Sequence, residues 1–437
     1  MSNGFTFDSD GRLLQFRESP FIEDFLQHHQ LAISHGIYYE YQVKEGIWKR
    51  IDENQVGRLL NHFFEQTAPD LWTGTYEERC KKVLAVKAPR IEAFDAEVDL
   101  LNLKNVCFRI STGKRYRFRP KFQQSIKLPI AYNSKAVCPK FQEFLREVTV
   151  GNTKLADTLA ELLGYCLTNE VKAEKIFVLY GNGSNGKSVF LKILQNLVGI
   201  ENVSSLSVND LETSPFSRAG LLGKKVNLQS DARGVRHGVF VTETTKAISS
   251  GDMIDAAFKF KDHFSFVPFC KLIFATNQYP SFGEDFSMGS KRRLLVLPFN
   301  ATFLGKKQNK ELSEELMKEL SGIFNLAIDG LRRLQEQDFH FSFEDQSDDF
   351  VQILLRQHRP VQLFVNEKIR YCNGSRVSYS SLHDCFKQWM VKNEIPYDFC
   401  ASSLSKELAE AAVRINSSIS VYKSNGKRGI KNIKIKE

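Results

Sequence analysis

Between Lys175 and Val198 the sequence leaves few folds open. An apolar, β-rich run, Ile176-Phe177-Val178-Leu179-Tyr180, enters Gly181-Asn182-Gly183-Ser184-Asn185-Gly186-Lys187-Ser188, which opens into Phe190-Leu191, Leu194 and Leu197-Val198 at helical spacing. That is strand, loop and helix around G-x-x-x-x-G-K-S. Glycines let the backbone curl so that successive N–H groups and the helix N-terminus meet phosphates in one concavity. On this reading the loop from Gly181 to Ser188 binds a nucleotide, Lys187 reaches the β- and γ-phosphates, and the Ser188 hydroxyl joins a Mg²⁺ shell. A Gly/Asn-rich surface turn ahead of an ordinary helix is the simpler alternative.

A chain of 437 residues has room for about three domains, each with its own core. No segment approaches the apolar length of a membrane span, and the N-terminus lacks the charged start and apolar core of a signal peptide. A cytoplasmic protein without membrane partners is therefore expected. The eight cysteines are scattered with no C-x-x-C pair, which argues against a zinc ribbon and for reduced, mostly buried thiols. A formal charge of +9 points weakly to polyanionic partners.

Residues 1–150 read as an N-terminal α+β/helical domain. Phe5-Thr6-Phe7 is a strand before a turn, and Asp8 and Asp10 belong to that turn more simply than to a metal site. A short helix at Phe21 to Leu26 precedes a hairpin of Ile37–Tyr41 and Gly46–Arg50, then a helix through Val56, Leu59-Leu60 and Phe63-Phe64. The run from Lys114 to Lys121 alternates cations with aromatics, which suits either nucleic acid or an exposed strand with one basic face. Helices are expected from Pro139 to Val148 and from Thr153 to Leu167.

Residues 151–340 read as the nucleotide domain. Val226-Asn227-Leu228-Gln229-Ser230-Asp231 ends a β-like run in an acid, and a P-loop enzyme needs a carboxylate there to hold Mg²⁺ opposite the loop serine. Lys271–Asn277 ends in a polar residue able to orient an attacking water. Arg292-Arg293 opens a fourth run, and guanidinium groups can stabilise the γ-phosphoryl from a neighbouring subunit.

Several motifs in order, Gly181–Ser188, Gly223-Lys224-Lys225-Val226-Asn227, Ser250-Gly251-Asp252, Lys259-Phe260-Lys261-Asp262, Phe264-Ser265-Phe266, Ala275-Thr276-Asn277 with Pro280, and Arg292-Arg293 through Phe299, resemble those of superfamily 3 helicases. The nearest branch is that of primase-helicases and replication initiators of phages, plasmids, poxviruses and mobile pathogenicity islands. It spans roughly residues 20–300. The resemblance implies an α/β P-loop AAA+ core that assembles as a ring, a hexamer by expectation, with ATP and Mg²⁺ between subunits. Lys187 and Ser188 would contact phosphate and Mg²⁺, Asp231 would be the second acid motif, Asn277 the polar sensor, and Arg293 the finger, with Arg292 as alternative. Lys259, Phe260 and Lys261 would form a hairpin facing single-stranded DNA in the channel, although a solvated Lys pair has the same pattern.

Two departures stand out. Many relatives carry adjacent acids at the second motif, whereas Ser230 and Ala232 flank Asp231, so the general base is open and Glu243 is one guess. Relatives are often fused to a primase domain, for which this chain has too little sequence upstream. A separate primase or host replication proteins are then expected partners, within a bacterial host.

Residues 341–437 read as a linker and a winged-helix domain. Helix near Leu363–Tyr371, strand Arg376–Ser378, helices Ser380–Asn393 and Ser402–Val413, and a hairpin turned at Asn425-Gly426 give that order. Lys423, Lys427 and Arg428 in the wing suit duplex DNA, and a protein-contact module is the alternative. The sequence thus reads as an ATP-dependent DNA helicase or replication initiator of a mobile element, phage or virus. An ATP-switched DNA-binding regulator and a helicase loader are the competing readings.

Overall fold

The computed structural model describes residues 4–232, 239–260, 262–277, 288–303, 309, 311–358, 360–393, 395–397, 399–424 and 426–436, with side chains for all but 288, 352–358 and 427. Its centre is a five-stranded parallel sheet. Numbered in chain order within that sheet, the strands are β1 (Ile176–Tyr180), β2 (Val203–Ser204), β3 (Val226–Gln229), β4 (Lys271–Thr276) and β5 (Leu294–Pro298), arranged β2-β3-β4-β1-β5. The register places Ile176 beside Leu272 and Leu294, and Tyr180 beside Thr276 and Pro298. β1, β4 and β5 are apolar almost throughout because both sheet faces are covered, as parallel sheets require. All their C-terminal ends therefore lie along one edge, where the glycine loop begins.

The helix Lys187–Val198 leaves that loop and stops at Gly199, whose φ of 92° only glycine adopts freely. Behind it, helix Thr153–Leu167 packs on helix Leu320–Glu336, and each lends a glycine to the crossing. A Cβ on Gly164 would lie 2.1 Å from the Ala327 carbonyl oxygen, and one on Gly330 would lie 2.7 Å from the Ala160 carbonyl. Between these helices Glu161 is fully buried, accepting from Arg333 Nε at 2.7 Å and from the Ser342 hydroxyl at 2.5 Å.

Residues 16–88 enclose a core of their own around Phe21, Phe25, Leu60, Phe64 and Leu84. Residues 101–148 instead share a core with the loop helix and the sheet, from Phe108 and Phe141 through Phe190 to Leu331. The predicted hairpin is present as Ile37–Gln42 against Ile47–Ile51. Asp8 accepts from the backbone of Asp10 and Arg12, which makes it a turn residue. Of the run Lys114–Lys121 only Arg115–Tyr116 is a strand, and its aromatics are used in packing: Phe118 lies against Gly46 and under Lys127.

Two lysines sit wholly inside the protein at the starts of β3 and β4. Lys225 Nζ donates to the Leu167 carbonyl and Asn169 Oδ1, both at 2.7 Å. Lys271 Nζ donates to the Thr168 carbonyl at 2.7 Å and the Phe269 carbonyl at 3.0 Å. They cap the otherwise unpaired C-terminal carbonyls of helix Thr153–Leu167. Burial pulls Lys225 down to about 8 and Lys271 to about 7. A neutral amine has two N–H groups, matching the two acceptors each one meets. Because the folded state releases these protons at lower pH than the unfolded chain, stability should rise with pH between about 7 and 8.5. The rise should end there, since burial holds Cys166 and Cys270 up at about 12 and the unfolded thiols ionise first. Lys271→Met should flatten the rise, read as the unfolding midpoint in denaturant at each pH.

C-terminal to the sheet, the acid-rich stretch predicted as a linker is the start of helix Glu344–His358. It is tied to the sheet by the Lys175–Glu344 ion pair and by Val296 N–H donating to Ser347 Oγ at 2.8 Å. Then come helix Pro360–Lys368, strand Ile369–Ser378, helices Tyr379–Lys392 and Ala401–Val413, and the hairpin Ser420–Ser424 with Lys427–Ile435. The three strands form an antiparallel sheet with Lys427–Ile435 in the middle. Asn425 lies outside the described residues.

Candidate functional site

At the C-terminal edge of the sheet a cleft of about 1030 Å³ is lined by the loop from Gly183 to Ser188, by Ser230 and Asp231 after β3, and by Thr276 and Asn277 at the end of β4. The sequence-predicted phosphate, Mg²⁺ and sensor residues thus come together in one place. The loop is braced from outside: Asn185 Nδ2 donates to the Phe299 carbonyl at 2.9 Å, and Phe303 N–H to the Ser184 carbonyl at 2.8 Å. Gly186 has φ 91°, and a Cβ there would collide with Val148 at 2.5 Å; Gly183 faces open space.

Lys187 is the most informative residue. It is 8 % exposed, and its ammonium donates only to neutral acceptors: the Gly181 carbonyl at 2.5 Å, Asn185 Oδ1 at 3.2 Å, Asn277 Oδ1 at 3.3 Å and the Asn182 carbonyl at 3.4 Å. Among the described residues no carboxylate lies within ion-pair distance of it. Burial lowers its pKa. A buried cation without a counter-ion costs free energy, and an arriving anion would relieve that cost. Lys187, Ser188 and Asp231 would hold the phosphates and Mg²⁺ of a nucleotide, and the metal would neutralise phosphate charge.

The other wall was not read from sequence. Helix Pro139–Val148 turns Lys140, Glu143, Phe144 and Glu147 toward the cleft, while Phe303, Leu312 and Glu315 close it. Lys140 Nζ bridges to Glu315 at 2.5 Å. The amphipathic pattern of that helix was visible, but nothing local says that its polar side meets the glycine loop. Glu243 is elsewhere: it starts helix Glu243–Ser250, is 90 % exposed and pairs with Lys246 at 3.1 Å.

Arg292 and Arg293 precede β5 and so lie at the opposite edge of the sheet, roughly 17 Å from the loop by strand rise alone. Arg293 is 13 % exposed and donates to the Ser250 hydroxyl at 2.8 Å and the Gly289 carbonyl at 2.9 Å. Arg292 is 58 % exposed and 2.7 Å from Glu174, the carboxylate that also neighbours Arg293 at 3.4 Å. Two guanidinium groups thus share one acid, and the exposed one is Arg292.

The Lys259 segment is the turn of a hairpin, Ile254–Ala257 paired with His263–Phe266. Phe258, Phe264 and Phe266 stack along it, with ring centroids 5.0 and 5.8 Å apart, and Arg50 lies over Phe258 at 4.7 Å. Phe260, at φ 63°, is fully exposed at the tip. Lys259 is exposed beside it, and Lys261 lies outside the described residues. In the C-terminal hairpin Lys423 and Arg428 face each other across the strands, and the Lys427 side chain is outside the described set.

Residues 20–150 match the family described as D5 N terminal like, and residues 179–293 match a family of unknown function, DUF5906. A protein of Acanthamoeba polyphaga mimivirus named "Putative helicase L207/L206" is 26% identical over 185 residues, which is 40% of this chain and 18% of that protein. The chain therefore aligns with less than a fifth of that relative. Solved apo structures of the NrS-1 C-terminal region share the fold, one with TM-score 0.55 at 12% identity over 95% of this chain and 99% of that one. Another has TM-score 0.52 at 13% identity, covering 94% and 97%. Among the described residues no helix is long and apolar enough to cross a membrane.

Proposed function

We propose that this chain is an ATP-dependent DNA helicase of viral or mobile-element replication, built on a superfamily 3 AAA+ core that hydrolyses ATP between neighbouring subunits of a ring. The observation that carries the reading is the buried Lys187 ammonium, with no counter-ion among the described residues, set in a cleft shared with Ser188, Asp231 and Asn277. The D5-type match and the similarity to a viral helicase support the replication setting.

In that reading the loop amides and Lys187 bind the phosphates, Asp231 and Ser188 hold Mg²⁺, and Asn277 orients water. Of the other acids lining the cleft, Glu315 is engaged by Lys140 and Glu143 by Arg146, and Glu147 would accept the proton of the attacking water. Phe144, Phe303 and Leu312 offer an apolar seat for the base. The opposite sheet edge presents Arg292 to a neighbour's cleft. The C-terminal helices and sheet follow the order of a winged helix and serve as a duplex-binding module.

A non-glycine residue at positive φ is uncommon, and an exposed phenylalanine at a hairpin tip buries nothing within its own chain. Phe260 has both properties, which suits a base or sugar face, with Lys259 on the phosphate beside it. Phe260→Ala should keep nucleotide hydrolysis within about twofold of wild type without DNA, and should lose most strand displacement on a forked duplex. Measured against wild type, displacement at the wild-type rate would remove the hairpin from the mechanism. Hydrolysis by wild type with no displacement on any fork would instead favour the ATP-switched regulator.

A further inference from the structure

The C-terminal domain separates its charges. Its three strands, Ile369–Ser378, Ser420–Ser424 and Lys427–Ile435, contain seven lysines and arginines and no acid. Among the described residues from Pro360 onward, its acids Glu367, Asp384, Glu407 and Glu410 lie on the helices. In register, Arg370 stands directly opposite Lys434, and Arg376 directly opposite Lys431. Like charges so placed destabilise a sheet, and among the described residues no carboxylate pairs with any of the four.

The backbone is shaped to bring them together. Residues three apart in a regular strand face opposite sides, yet Ile430 and Ile433 are both buried under the helices while Lys431 and Lys434 are both exposed. Asn432 makes the difference: at φ 64° it adds a bulge, its side chain accepting from Gly374 N–H at 3.0 Å and donating to the Ser418 carbonyl at 2.7 Å. Arg376 is positioned over the Tyr422 ring at 5.5 Å. Helix Ala401–Val413, by contrast, exposes Lys406, Glu407 and Glu410, with Lys406 4.0 Å from Glu410, so its outer side has a net negative charge. A phosphate-lined groove would not attract that helix.

We infer that the outer face of this sheet, through Arg370, Arg376, Lys431 and Lys434, is the domain's contact with the phosphate backbone of duplex DNA, and that helix Ala401–Val413 is not. The inference rests on the duplex-binding reading above and moves its contact from the wing residues Lys423, Lys427 and Arg428 to the sheet face. Contacts of this kind carry no base readout, so affinity follows counter-ion release and is indifferent to sequence.

The test is a salt series of fluorescence anisotropy with the full chain and a fluorescein-labelled duplex of random sequence. Lys431→Gln with Lys434→Gln should lower the slope of log affinity against log salt by about two. Lys431→Arg with Lys434→Arg should keep the slope, which separates charge from misfolding, and Lys406→Gln should leave it unchanged. An unchanged slope in the Gln pair, with a loss in Lys406→Gln or in Lys423→Gln with Arg428→Gln, overturns the sheet face while duplex binding stands. No salt-dependent binding by wild type overturns both, leaving an acidic protein as the partner of this face.

Discussion

Lys187→Ala should abolish ATP hydrolysis, lowering turnover by at least about a hundredfold, the scale of one preorganised donor at a developing charge. It should do so without unfolding the chain. The ammonium is buried against neutral acceptors with no carboxylate in ion-pair distance among the described residues, so its removal takes away a desolvated charge at the same time as its hydrogen bonds. The melting temperature of the nucleotide-free variant should therefore stay close to that of wild type. Added ATP and Mg²⁺ should raise the wild-type melting temperature by mass action and barely move the variant. Phosphate release and thermal melting with and without nucleotide check both halves. A variant that turns over at the wild-type rate would remove the cleft from the chemistry.

What the sequence disclosed about this site depended on how local each signal was. The glycine loop, the strand before it and the helix after it are written in consecutive residues, and they fold as read. Helices Pro139–Val148 and Thr153–Leu167 have the limits their periodicity predicts. Periodicity marks a buried face but not its partner, so the cleft wall of Lys140, Phe144 and Glu147 stayed hidden. The stretch 311–336 has the periodicity of one amphipathic helix, yet it is divided into Leu312–Met317 and Leu320–Glu336, because Lys318 and Glu319 make a turn whose glutamate accepts from Lys140 and Phe141 backbone N–H groups 179 and 178 residues away. No window of sequence contains both partners. Helix Gly74–Lys87 went unread for a related reason: it buries only Cys80 and Leu84 along its length, leaving little apolar pattern to detect. The motif Gly223–Asn227 shows the converse. Its order was legible, but its role is structural: Lys225 caps a helix and Asn227, fully buried, binds both backbone groups of Leu206.

Arg292→Ala should lower hydrolysis by about a thousandfold, the range of a finger supplied to another subunit's site, while leaving nucleotide affinity nearly intact. Within one copy Arg292 cannot serve its own cleft, since β5 carries it to the other end of the sheet from the loop. Arg293→Ala should behave differently. Its guanidinium holds Ser250 and Gly289 and is largely buried, so its loss should lower the melting temperature as well as turnover. The decisive experiment mixes two inactive proteins. Copies with Lys187→Ala retain Arg292, and copies with Arg292→Ala retain the loop. In a randomly mixed ring about one interface in four joins an intact loop to an intact arginine. Mixing should therefore restore hydrolysis that neither variant shows alone, in proportion to those interfaces. Full turnover by Arg292→Ala alone would show that the arginine plays no part in the reaction. If Arg292→Ala is inactive and mixing restores nothing, the arginine acts within its own subunit, and the ring with a shared active site fails.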